Sequence, residues 1–197
     1  MLAKPQPDVP MQGQMSQVTL TKGLVWGLIG GFVGTIAIDL AAVGMLLALG
    51  YSGDVSYSIA GYTAAGFFSS IGIQIAGSVL LGIAMRYLIG LGLGVIFGVA
   101  VSRINALRMD AAKRVMFSIL YVAVISQPLL AAAPNIMKGW DAETTWQWYF
   151  TSFFIHMIYA VLLAVIVGYG LRTTTEAKHR RFWSRTKLLS PESTVRQ

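Results

Sequence analysis

Residues 76–103, AGSVLLGIAMRYLIGLGLGVIFGVAVSR, are apolar for the thickness of a bilayer core and hold one charge inside, Arg86. At about 1.5 Å per residue, a helix crosses that core in about 20 residues. Arg103 closes the stretch and more Lys and Arg follow before residue 115, so this end sits at a membrane surface. Counting back, Arg86 lies about 25 Å in. A guanidinium at that depth must snorkel, pair or line a wet cavity. The other apolar stretches are ordered around that fact.

Only 12% of the 197 residues are charged and the mean hydropathy is +0.65. A soluble chain usually carries about 25% charge, so much of this one must face lipid or other membrane helices. The net charge of +7 is concentrated at residues 103–114 and 172–187, beside the ends of apolar runs. That is the positive-inside pattern and points to membrane topology, not to nucleic acid. Cysteine is absent, which removes disulfides, thiolate metal sites and cysteine nucleophiles. The two histidines, His156 and His179, are not in a metal-ligand spacing.

The expected fold is an all-α membrane protein: four transmembrane helices over 24–50, 76–102, 115–134 and 148–171, within a domain spanning 23–172. An outer interfacial helix over 56–74 joins the first two spans. It is motivated by Ser56, Thr63, Ser70 and Gln74 on one helical face and by aromatics suited to the headgroup level. A separate span over 59–85, making five helices, is the rival. Residues 1–22 read as a flexible arm without the apolar core of a signal peptide. Residues 173–197 read as a basic tail, in which Lys178, Arg180, Arg181, Phe182, Trp183, Arg185 and Lys187 would lie on an anionic membrane surface or dock a partner subunit. Both termini are expected in the cytoplasm, at a bacterial inner membrane.

In the first span Gly27, Gly30, Gly34, Ala37, Ala41, Gly44 and Ala48 recur at steps of 3 and 4. This heptad seam of small residues should let another helix approach closely. Asp39 projects almost opposite it, which would give the helix two protein-facing or water-facing sides. Pro128 is expected to kink the third span. A second pattern is an internal echo. Arg86, Gly90, Gly94 and Gly98 in the second span match His156, Ala160, Ala164 and Gly168 in the fourth, 70 residues on. Two helix hairpins of common design would explain it.

A small-residue first helix, an outer amphipathic stretch, and helices built as a titratable residue followed by a GxxxG-like ladder resemble the YagU-type small inner-membrane proteins. The resemblance covers about residues 24–172 and implies a compact polytopic protein. It assigns no residue a role, and Arg86 stands where a histidine is usual.

No Ser-His-Asp arrangement, paired intramembrane carboxylates, zinc signature or phosphate loop is visible, so no enzyme chemistry is expected. Asp39, Arg86, Gln127 and His156 all fall about 20–24 Å from the cytoplasmic face, one per span, in a single polar layer. Within it, Asp39 and Arg86 are expected to form an ion pair. The chain reads first as an accessory subunit packing with other membrane subunits or with itself, lipid being its only expected cofactor. A small proton-coupled carrier using Asp39, Arg86 and His156 is the alternative. A haem or pigment anchor at His156 is a third.

Overall fold

The computed structural model describes residues 12–136 and 140–188, with side chains from within 20–172. Every element is a helix: α1 (Gln12–Ala48), α2 (Val55–Ser70), α3 (Val79–Arg103), α4 (Asn105–Met109), α5 (Ala111–Ile136) and α6 (Ala142–Leu188). Four helical stretches are long and apolar enough to cross a membrane: Leu20–Ala48, Val79–Arg103, Ala111–Pro134 and Ala142–Arg172. This is an integral membrane protein with an all-α fold.

Local chemistry sets the ends of these helices. Gly50 and Gly72 take positive φ, 80° and 86°. Each closes the preceding helix with a paired C-terminal turn: Tyr51 N–H donates to Leu46 O and Gly50 N–H to Leu47 O, then Ile73 N–H to Phe68 O and Gly72 N–H to Ser69 O. The stop at Gly72 rules out a continuous span over 59–85. Ser78 accepts from Leu81 N–H and starts α3. Asp110 accepts from the N–H groups of Ala112 and Lys113 and starts α5. These donors, Lys113 first, hold its carboxyl below the ordinary aspartate value.

Three expected boundaries are corrected. Residues 12–22 are helical and extend α1; residues 1–11 lie outside the described part. The last span begins at Ala142, not at 148, because Asp141 caps it: Thr144 N–H donates to its carboxylate at 2.7 Å. The backbone of the basic tail continues α6 as helix to Leu188, while the side chains of Lys178, Arg180, Arg181, Phe182, Trp183, Arg185 and Lys187 lie outside the described part, as do residues 189–197. Pro128 and Pro134 both lie inside α5, and Pro128 leaves the Val124 carbonyl without its helical donor.

The bundle is two antiparallel hairpins, α1–α3 and α5–α6, docked through α1 and α6. In the first, Gly23 faces Gly98, Gly27 faces Gly94 and Gly31 faces Gly90, backbone against backbone. In the second, Ser118 donates to Ala160 O at 2.7 Å and Arg114 Nε to Ala164 O at 2.9 Å. Both interfaces advance four residues at a time on each helix, so the sequence echo is a structural one at the level of the hairpins. Their docking is unequal. Tyr159, on α6, fills the space beside Gly34 and donates to Gly90 O at 2.6 Å. Between α3 and α5 contact is sparse, carried by the stacked Phe97, Phe117 and Tyr121 rings. Helix α2 crosses α3 with Gly61 against Gly82 and also touches α5.

The small-residue seam of α1 therefore divides differently from the heptad. Gly27 meets α3 in line with Gly23 and Gly31, whereas Gly30 and Gly34 meet Leu163 and Tyr159 of α6. Ala37 and Ala41 are half-buried, and Gly44 has no neighbour within 4 Å of where a Cβ would stand. The helix is two-sided as expected, with one face against α3 and another against α6. Asp39 continues the row Gly23, Gly27, Gly31, Thr35 at four-residue steps, and that whole row is buried. Rows of i±4 residues are inclined to the helix axis. A partner crossing along such a row touches residues that a straight-axis wheel places on opposite sides.

Candidate functional site

The row that brings α1 against α3 ends in charge. Arg86 stands one turn before Gly90 on α3 and Asp39 one turn after Thr35 on α1, so the same four-residue register carries them together. Arg86 Nη1 donates to Asp39 Oδ1 at 2.7 Å. Asp39 is 7% exposed, and the guanidinium carbon lies 5.1 Å from the centre of the Tyr57 ring on α2. The expected ion pair is present, closed over by α2. Thr35, 1% exposed, turns its hydroxyl back to Gly31 O at 2.8 Å and leaves the α3 backbone free to approach.

His156 lies within electrostatic reach of Arg86. Its Nδ1 is 2.6 Å from Ser152 O. A carbonyl only accepts, so Nδ1 carries the proton and Nε2 keeps a free lone pair. That nitrogen could take up a proton or ligate a metal-centred group, but the side chain of His179, the only other histidine, lies outside the described part. Gln127 does not join the layer. It lines a separate cleft with Trp140, Asp141 and Tyr149. Equal depth placed it beside the other three, but the helical face that carries it points elsewhere.

Three buried hydroxyls on α2 and α5 stand out. Ser56, 5% exposed, and Thr63 lie on α2, and Ser126, 4% exposed, lies on α5; none has a hydrogen-bond partner. A buried helical hydroxyl normally satisfies itself on the carbonyl one turn back. The register of the α5–α6 hairpin sets Ser126 opposite Ser152, the residue whose carbonyl holds His156.

Sequence reasoning missed Arg114, which it counted among the topology-setting cations. The residue is 4% exposed. Its Nε donates to Ala164 O at 2.9 Å and its Nη1 to Leu107 O at 3.0 Å and Arg108 O at 3.3 Å. Gly168 supplies the room, since a methyl there would stand on the guanidinium. The signal was the last glycine of the α6 ladder, which faces a side chain where Gly98 faces a glycine. Arg114→Met should lower stability by about 1.5–3 kcal/mol through lost charged hydrogen bonds. Thermal unfolding in mild detergent checks this; an unchanged midpoint would show that the guanidinium does not strap the hairpin.

Comparison with protein-family models, with curated proteins and with solved structures returns no match.

Proposed function

We propose that this protein moves protons across a bacterial inner membrane through the Asp39–Arg86 site. One observation carries the reading: a carboxylate and a guanidinium are paired at 2.7 Å inside the membrane-spanning bundle, under a short helix, α2, that is not itself long enough to span. Intramembrane ionisable residues mark ion and proton pathways more often than packing needs. Protonation of Asp39 removes the charge that holds Arg86 and frees the guanidinium to take another partner. His156, within electrostatic reach of Arg86, offers Nε2 as a proton acceptor. The partnerless hydroxyls of Ser56, Thr63 and Ser126 are suited to carry water between α2 and α5.

Both termini are placed in the cytoplasm, with α2 at the outer surface, because the Lys and Arg residues gather at 103–114 and 172–187. A cysteine at Lys113 should be protected from an impermeant reagent added outside intact cells, and one at Ala142 should react. The reverse pattern would invert the topology.

The test of function is proton uptake into liposomes holding the purified protein and a trapped pH-sensitive dye. A potential imposed by potassium and valinomycin should acidify these vesicles faster than empty ones, and Asp39→Asn, assayed below its lowered unfolding midpoint, should remove the difference. Uptake equal to that of empty vesicles, or unchanged in Asp39→Asn, would overturn the reading.

A membrane-subunit role is the second reading, favoured by one feature. Gly44 and Ala48 continue the heptad of small residues on the outer half of α1 and are exposed. Such a stripe suits another helix at close range.

A further inference from the structure

We propose that the outer cleft between the C-terminal end of α5 and the start of α6 binds a trimethylammonium group. The cleft is open on one side, has a volume of about 630 Å³ and is lined by Trp140, Trp146, Tyr149, Asp141, Thr145 and Gln127. That volume lies in the range of ligand sites, about 300–1,000 Å³. Three aromatic rings and one carboxylate line it, and no cation is among the described residues that do. Aromatic faces attract a cation through their quadrupole, and cages of such rings recognise quaternary ammonium groups.

Its walls are braced. Trp140 stands edge-on to Trp148, ring centres 5.6 Å apart, and the Trp148 indole N–H donates to Leu130 O at 3.4 Å. Trp146 leans on Phe150 at 6.0 Å. The carboxylate is kept charged: the Thr144 hydroxyl and N–H hold Asp141 below the ordinary aspartate range. Of its oxygens, Oδ1 takes the Thr144 N–H.

The character of the walls selects the kind of cation. A primary ammonium is strongly hydrated and needs acceptors for three N–H donors. This cleft offers mostly ring surface, and of its acceptors, the Asp141 carboxylate, the Gln127 amide and the Thr145 and Tyr149 hydroxyls, Asp141 Oδ1 already takes the Thr144 N–H. A trimethylammonium group has no donors to satisfy and gives up little hydration. Its source is either the headgroup of a choline lipid in the outer leaflet or a free quaternary ammonium solute.

Calorimetric titration of choline into the protein, held in nanodiscs of phosphatidylglycerol, tests the site. Saturable binding is expected, about tenfold tighter than for 3,3-dimethylbutan-1-ol, the uncharged analogue of the same shape. Trp146→Ala and Asp141→Asn should each weaken choline severalfold, and asparagine keeps the helix cap. Repeating the titration in phosphatidylcholine nanodiscs separates the sources. Loss of choline binding there identifies the lipid headgroup as occupant, and unchanged binding identifies a free solute. Equal affinity for the uncharged analogue, absence of saturation in phosphatidylglycerol, or indifference to both substitutions would overturn the proposal.

Discussion

Gly94→Leu is expected to break the α1–α3 hairpin, whereas Gly44→Leu leaves the fold intact. A Cβ at Gly94 would stand on the carbonyl oxygen of Gly27 and within 2.7 Å of the Gly31 Cα. Neither is a side chain that can swing away, so the two helices must separate. In lipid the attraction between them is close van der Waals contact, which weakens steeply with distance. Overfilling a packed interface costs about 1–3 kcal/mol and sometimes more. Here separation also pulls Arg86 from Asp39 and Tyr159 from Gly90, so an effect at or above that range is expected, as loss of the folded species in mild detergent. Gly34→Leu should be milder, because the nearest atom it meets, at 2.6 Å, belongs to the Tyr159 ring. Thermal unfolding and size-exclusion profiles of the three variants give the order. A Gly94→Leu protein that melts like the parent would refute backbone contact along this row. Gly44→Leu also divides the two functional readings, since under the subunit reading it changes the size of the assembly without unfolding the chain.

Asp39→Asn and Arg86→Gln should each destabilise strongly, and the double variant should lose less than the sum. Removing one member of a buried pair leaves the other charge uncompensated, at a cost of about 3–5 kcal/mol. Replacing both leaves two neutral groups that can still hydrogen-bond. The coupling expected for residues in direct contact is about 0.5–3 kcal/mol. Three unfolding curves measured against the parent supply it, and strict additivity would remove energetic importance from the 2.7 Å contact. Arg86→Gln also removes the cation beneath the Tyr57 ring, so α2 should loosen in that variant. Faster hydrogen exchange across Val55–Ser70 is the corresponding readout.

Much of the molecule was legible in its order of residues, for a local reason. Whether a segment spans depends on its own length and hydropathy, so the four crossings and the depth of Asp39, Arg86 and His156 could be counted along the chain. The ladders Arg86–Gly90–Gly94–Gly98 and His156–Ala160–Ala164–Gly168 were visible because a four-residue spacing marks one inclined row on any helix. Caps at Asp110 and Asp141 were equally local, yet they compete with interfacial tryptophans as markers of where a span begins, and the last helix started earlier than Trp148. What the tertiary structure alone decided is which row a partner uses. Gly27 belongs both to a heptad with Gly30 and Gly34 and to a four-residue row with Gly31 and Asp39. The crossing of α3 selects the second and hands Gly30 and Gly34 to α6. That choice made Asp39 the last member of the row that meets α3, on the side of α1 away from Gly30. It also excluded Gln127 from a layer it matched in depth and buried Arg114 against Gly168. Depth is a property of one helix, but facing is a relation between two.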